Sequence, residues 1–438
     1  VVDLALRNNP ATRESWANAL AAVNAYGSAR GARYPTVNAN VNIAESFSNG
    51  NSGFGTNGLG GFNNTATDTS GNLRGGGFRS TGAQITPAVS IFYLVFDHGA
   101  RAGTIESAKQ TAIAANLTHN ATIRNVVLQA ESTLFSFLAF RALRDAQRVS
   151  VDEARADTAA AEARLRVGVG ILEDVYQTRT ALAQARFQLA TYEGNLVTAR
   201  GALASALGFP ANAEFELPNI LASDSVASIA ASVDTLINRA IVERPELAES
   251  RAEAEALAAQ VRIARSAGYP SLIISSNGGL ASRLQGNRTN GSNPNYTLQL
   301  GLQIPIFNGF SRDYDVRSAR ERYEAGLARV QSTRRQIELE VFTSYSVLRT
   351  ATDRMESANE LIASARLASS GAIGRYREGI GTITDVLLAR SALATARAEF
   401  VQARWEWQTA LAQLAHDVGS LDTKGRPNLP LGPPEIRR

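Results

Sequence analysis

The sequence predicts an α+β membrane protein: four β strands per chain join with those of sister chains into a barrel, which long coiled-coil helices continue. Three observations carry this expectation. The strand-like stretches alternate aliphatic residues with neutral amides and hydroxyls, the whole plan is written twice, and long proline-free segments keep a heptad of large apolar residues.

In TVNANVNIA (36–44), Val37, Ala39, Val41 and Ile43 fall on one side of a strand and Thr36, Asn38, Asn40 and Asn42 on the other. Asparagine is a poor strand former, and an ordinary wet face would carry Lys or Glu. YTLQLGLQIPI (296–306) sets Tyr296, Leu298, Leu300, Leu302, Ile304 and Ile306 against Thr297, Gln299, Gly301 and Gln303. AQITPAVSIFYLVF (83–96) sets Ile85, Val89, Ile91, Tyr93 and Val95 against Gln84, Thr86, Ala88 and Ser90, and SLIISSN (271–277) is shorter and less regular. Each strand of about ten residues suits a tilted crossing of a bilayer. An apolar outside and a polar lumen is the membrane-barrel pattern, which makes Asn38, Asn40, Asn42, Gln299 and Gln303 the expected lumen-facing positions. Four strands cannot enclose a watery lumen. An open sheet in lipid leaves its edge groups unpaired, at several kcal/mol each. Identical chains must therefore close the wall by cyclic symmetry, and three chains supply twelve strands.

The duplication is read from RLRVGVGILEDVYQTRTALAQAR (164–186) and RYREGIGTITDVLLARSALATAR (375–397), identical at 12 of 23 positions with a shift of 211. The same shift carries Phe96-Asp97 onto Phe307-Asn308, Arg101 onto Arg312 and Gly208 onto Gly419; upstream, a shift of 235 carries Asn9-Pro10 onto Arg244-Pro245 and Tyr34-Pro35 onto Tyr269-Pro270. Matched Gly, Asp and Tyr-Pro positions exclude a merely shared composition. Repeat 1 (1–208) comprises a helix over 3–33, a β-hairpin over 35–97 with an extracellular loop at 46–81, and long helices over 99–167 and 172–207. A linker over 209–241 leads to repeat 2 (242–419): a helix over 243–268, a hairpin over 270–306, and long helices over 309–378 and 382–417. A tail over 420–438 closes the chain.

The return helices carry the seam. Val175, Leu182, Leu189, Leu196 and Leu203 recur every seven residues, as do Val386, Leu393, Phe400, Trp407 and Leu414, with Ala185, Ala199 and Ala206, or Ala389, Ala396, Ala403 and Ala410, three residues on. Large residues alternating with alanine over five heptads specify close coiled-coil packing.

Composition excludes much else. The 438 residues contain no cysteine, which rules out disulfides and thiolate metal sites, and the three histidines have no ligand spacing. A net charge of +4 with scattered Arg lacks the basic stripe that nucleic-acid binding needs. No run of 18 apolar residues predicts a transmembrane helix, which says nothing against barrel strands. Without a nucleophile–His–acid constellation, phosphate loop or metal cluster, no enzyme, cofactor or metal site is expected.

The doubled plan, the NP and RP helix starts, the FDHG and FNG strand ends and the R-x-x-x-G-x-x-x-x-x-D-V tips resemble the TolC-like outer-membrane efflux proteins over nearly the whole chain. The resemblance implies a homotrimer in the outer membrane of a Gram-negative bacterium, with a twelve-stranded barrel, a periplasmic helical barrel and a small equatorial α/β belt at 209–241 and after Asp417. It implies an exit duct for a tripartite efflux pump or type I secretion system, docking a periplasmic adaptor (membrane fusion) protein and an inner-membrane transporter of RND or ABC type. The breaks at 167–170 and 378–381 then become adaptor-docking tips, with Val167, Gly168, Gly170, Glu378, Gly379 and Gly381 as candidates. Asp174 and Asp385 match a constricting acidic ring. Gly381 and Leu388 depart from relatives that carry a gating arginine and a second acid there, which leaves Arg164, Arg375 and Arg377 as gate-latch candidates. The competing readings are a periplasmic adaptor, with its single hairpin, and a soluble coiled-coil scaffold, which has no use for amide-faced strands of membrane length.

Overall fold

A computed structural model describes residues 1–49, 79–215, 231–285 and 288–421. Most of the expected extracellular loop, the middle of the 209–241 linker and all but the start of the tail lie outside the described residues. The chain divides into two compact units, one of Gly27–Glu106 and Ala258–Arg320, the other of Val1–Tyr26, Ser107–Leu257 and Glu321–Arg438.

The first unit is built on an antiparallel sheet of β1 (Thr36–Asn49), β2 (Arg79–Phe96), β3 (Ser271–Gln285) and β4 (Arg288–Gln303) in the order β1-β2-β3-β4. The strands are longer than the sequence pattern indicates, and β1 and β2 run into the segment read as loop. Main-chain pairing continues past the point where side-chain alternation fades. Ile304 and Ile306, by contrast, lie just beyond β4.

The register joins the two sequence-derived faces across all four strands. Residues directly opposite in an antiparallel ladder share a face, so Asn38, Ser90, Asn277 and Thr297 form one row and Thr36, Phe92, Ser275 and Gln299 another. On the reverse side, Val37, Ile91, Ser276 and Leu298 align, as do Tyr93, Ile274 and Leu300. A bulge between Leu94 and Phe96 returns Phe96 to this aliphatic side, opposite Leu272. The aliphatic residues are not a protein core: Val41 is 63% and Leu300 68% exposed. Among the described residues, β1 and β4 each present an unpaired outer edge.

The expected single helix over 3–33 is two, α1 (Val2–Asn8) and α2 (Pro10–Gly31). Proline disfavours helical geometry in the residue before it, and Asn9 is extended at φ −65°, ψ 124°, with its side chain accepting a bond from Ala11 N–H. The second repeat breaks the same way. α5 (Val233–Glu243) occupies the end of the expected linker, Arg244 is extended, and α6 (Pro245–Ser266) begins on the proline. The buried Arg244 donates to Glu246 and Glu340. Burial works against its charge, but those two carboxylates outweigh it and raise its pKa.

The long helices are α3 (Ala100–Arg166), α4 (Leu172–Ala206), α7 (Ser311–Arg377) and α8 (Ile383–Val418). At 1.5 Å per residue, 67 residues of α3 or α7 span about 100 Å. The second repeat keeps the seam as the heptad requires: Val386, Leu393, Trp407 and Leu414 of α8 are buried, as are Leu348, Met355 and Ile362 of α7. In the first repeat Val175 and Leu203 are buried, whereas Leu182, Leu189 and Leu196 are only half so. Among the described helices, α3 has one stretch apolar and long enough for a membrane span by composition. Its Val126, Ala130 and Phe137 are taken up in a helix cluster with Leu203 and Leu207.

Arg at Val41 or Leu300 is expected to cost about 2–4 kcal/mol if these positions sit at mid-bilayer depth, whereas Asn40→Lys on the amide face is tolerated. Equilibrium unfolding from lipid vesicles measures the difference.

Candidate functional site: the helical tips

Two turns join the long helices, and both are solved the same way. α3 ends with Gly168 in the left-handed region (φ +79°), Gly168 N–H bonding to Leu165 O at 3.1 Å and Val169 N–H to Arg164 O at 3.0 Å. α7 ends with Gly379 at φ +79°, Gly379 N–H bonding to Tyr376 O at 3.2 Å and Ile380 N–H to Arg375 O at 3.0 Å. This is the Schellman arrangement, which satisfies the last carbonyls of a helix. Gly170 and Gly381 serve a different need. A Cβ on Gly170 would lie 3.0 Å from Leu165 N, and one on Gly381 3.1 Å from the Arg375 Cβ. The four glycines thus reverse the chain, while the exposed surface of the turns is aliphatic. Val167 is 73% and Ile380 77% exposed, with Val169, Ile171 and Leu172 beside the first of them. Glu378 is also exposed. The signal for this apolar surface lies in the sequence itself, where Val169, Ile171 and Ile380 stand beside the turn glycines.

Asp174 and Asp385 hold equivalent third positions in α4 and α8 but differ in their bonds. Thr382 caps α8 in a full capping box, its hydroxyl accepting from Asp385 N–H at 3.2 Å while its own N–H donates to the Asp385 carboxylate at 3.0 Å. The N-cap of α4 is Ile171, whose aliphatic side chain makes no capping hydrogen bond, so the Asp174 carboxylate is not drawn into such a box. The Asp385 carboxyl is held below its ordinary pKa by the Thr382 main-chain and side-chain hydrogen bonds, with Arg375 adding to the effect.

Of the three arginines singled out from sequence, Arg164 rests over the Tyr376 ring, 4.9 Å from its centroid, and so touches the other repeat. Arg375 faces Asp385 electrostatically, and Arg377 acts on Asp157. Thr384 Oγ1 also donates to Gln177 Oε1 at 3.2 Å between the two tips. Burial of the Tyr376 hydroxyl raises its pKa, with Arg164 opposing.

The strongest inter-repeat contact was not legible in the sequence. Arg397 grips Glu153 with two bonds of 3.0 Å, and Arg390 meets Glu153 at 3.0 Å and Asp157 at 3.3 Å. Burial pushes the Asp157 carboxyl up, Arg390 pulling the other way. The four side chains are mostly shielded from solvent, and the cluster borders a groove of about 450 Å³ between α3, α4 and α8. The only sequence trace is spacing, acids four apart on α3 and arginines seven apart on α8, and nothing local pairs helices more than 200 residues apart. Among the described residues no group of His, Cys, Asp and Glu is arranged to hold a metal.

The profile of the outer membrane efflux protein family matches residues 1–209 and 236–420. The chain belongs to the outer membrane efflux protein family. Protein CyaE of Bordetella pertussis is 26% identical over 435 residues, covering 99% of this chain and 85% of CyaE. The fold matches that of CusC, a protein that forms a transmembrane channel, with a TM-score of 0.79 at 20% identity over 95% of this chain and 91% of CusC. It also matches the outer membrane protein VceC of Vibrio cholerae, with a TM-score of 0.77 at 18% identity over 95% of each chain. This family member is an outer-membrane exit duct with a large periplasmic part; the family and these relatives are channel and transport proteins rather than enzymes.

Ala at Gly168 or Gly379 should destabilise its turn by about 1–2 kcal/mol, the left-handed penalty for an L-residue, measured by thermal unfolding. For Asp385 the folded pKa lies below the unfolded one. Its capping contribution is therefore complete above the ordinary carboxylate range and lost as pH falls through the lowered value. The melting-temperature gap between the unsubstituted chain and Asp385→Ala should accordingly persist at neutral pH and close below about pH 4.

Proposed function

We propose that the chain works as a homotrimer whose twelve strands close a passive outer-membrane barrel, and whose helical tips open when a periplasmic adaptor protein docks and links it to an inner-membrane transporter of RND or ABC type. The observation that carries this is the sheet: one continuous exposed aliphatic face, an amide face behind it, and two unpaired edges. Outer-membrane lipid covers the aliphatic face, and Asn38, Asn40, Asn42, Gln299 and Gln303 line the lumen. A neighbouring β1 on each β4 removes both edges, which no single-hairpin adaptor or soluble scaffold requires.

At the tips, the exposed aliphatics beside Gly168, Gly170, Gly379 and Gly381 supply the adaptor's docking surface, with Val167 and Glu378 at its margins; isolated apolar surface of this kind marks interaction sites. Three copies of Asp174 and Asp385 form a carboxylate constriction that attracts cations. Asp174, free of a capping box, is the stronger contributor. The latch is shared. Arg164 on Tyr376 and Arg375 near Asp385 hold the turns, Arg377 adds to the field at Asp157, and the Arg390 and Arg397 grip on Glu153 ties α8 to α3. Moving the second hairpin away from the first must break that half-buried, bidentate pair, a costly step once one partner is stripped of its counter-charge.

Glu153→Gln with Asp157→Asn is expected to raise the resting conductance of purified protein in planar bilayers, with trimers intact by native mass spectrometry; unchanged conductance would remove the clasp from the gate. Asp174→Ala should weaken block by divalent cations more than Asp385→Asn does, read from the same bilayers, and equal block in both variants and the parent would reject the carboxylate ring. A protein that stays monomeric on detergent extraction would overturn the duct reading itself.

A further inference from the structure

The segment from β4 into α7 passes from aliphatic to aromatic to cationic without leaving the surface. The exposed aliphatic face of β4 continues through Ile306, 88% exposed, to Phe307 and Phe310, whose rings meet edge to face at 5.4 Å. Tyr314 follows, also exposed, with the Arg317 guanidinium 5.5 Å from its ring centroid. Arg317 is exposed and makes no ion pair among the described residues; Asp313, Asp315 and Glu321, the acids within four positions of it on α7, are exposed and likewise in no ion pair among them.

Internal duplication shows that the fold does not require this surface. At the corresponding turn the first repeat has Gly99, Gly103 and Glu106 where the second has Phe310, Tyr314 and Arg317. Gly99 sits at φ +93°, and a Cβ on Gly103 would come within 2.7 Å of Ile263 Cγ1. Phe310 holds the same left-handed geometry at φ +64°, where a bulky side chain is strained and glycine is not. A strained residue whose ring is left 63% exposed gains little from packing within the chain beyond its edge contact with Phe307.

We propose that the start of α7 is a binding surface for anionic phospholipid headgroups at the periplasmic boundary of the membrane. Phe307, Phe310 and Tyr314 sit at interface depth, where amphipathic and aromatic rings are favoured, and Arg317 meets the phosphate with the multiple N–H donors that suit it. Continuity with the lipid-facing side of the sheet selects lipid over a neighbouring subunit, and the cation at the polar end selects an anionic headgroup. The inference rests on the outer-membrane duct reading.

The test uses purified protein in nanodiscs of phosphatidylethanolamine alone or mixed with phosphatidylglycerol. Two readouts are taken: the thermal midpoint, and phosphatidylglycerol retained in native mass spectrometry. The unsubstituted protein should retain phosphatidylglycerol and melt higher in the mixture. Arg317→Gln and Phe310→Gly should lose both effects while oligomer and conductance are kept, and Phe310→Gly should melt no lower than the parent in detergent because its backbone strain is relieved. Phosphatidylglycerol retention and midpoint shift that survive in Arg317→Gln overturn the proposal, and so does an oligomer that dissociates in detergent on Phe310→Gly, which assigns the surface to a subunit contact. Either result leaves the duct reading standing, because conductance of the unsubstituted protein tests that separately.

Discussion

Everything in this chain answers to the main-chain hydrogen bonds of two edge strands. β1 and β4 are long, one face of each is aliphatic, and the outer edge of each has no strand beside it among the described residues. In hydrocarbon an unpaired N–H or C=O has no water to turn to. A sheet of this composition is tolerable only when its edges are closed by other copies, so strand count and quaternary structure are a single constraint. The amide rows follow from the same geometry: once the sheet curls with its aliphatic side out, whatever alternates with those residues faces water.

Helix packing meets a second version of that requirement. A helix of 67 residues exposes far more apolar stripe than a single neighbour can cover: the large-on-alanine seam with α8 buries part of it by close approach, and Leu339, Phe342, Leu361 and Leu367 stay exposed. The first repeat is packed less tightly along α4, where three heptad leucines remain half exposed. Duplication supplied two equivalent hairpins, and their divergence is chemical rather than architectural. One return helix opens with a capping box and the other without, and one strand-to-helix turn is made of glycine where its counterpart carries phenylalanine.

The tips show how structural and functional demands can occupy the same few residues without being the same demand. Positive φ at Gly168 and Gly379, and the tight fit a Cβ would have at Gly170 and Gly381, account for the four glycines. What turn geometry does not account for is the exposed aliphatic surface between them, and the ionic clasp several turns away on α3 and α8. Two arginines on one glutamate, largely withdrawn from water, form a contact whose rupture is felt because each partner left behind is a poorly solvated charge.

The amino-acid sequence by itself determined the strands, the seam, the duplication and the turns, because each is written in a local period or a fixed offset: Asn38, Asn40 and Asn42 alternating at two, Val386 to Leu414 recurring at seven, Gly168 and Gly379 placed 211 apart. Helix breaks at Asn9 and Arg244 were readable in principle from the prolines that follow them, but a continuous amphipathic pattern concealed them. Only the tertiary structure decided which strand residues stand opposite one another, how far pairing runs beyond the alternation, that Thr382 engages Asp385, and that Glu153 meets Arg397. Those facts depend on contacts between segments far apart in the chain, where no periodicity reaches and the partner is chosen by the packing of whole helices.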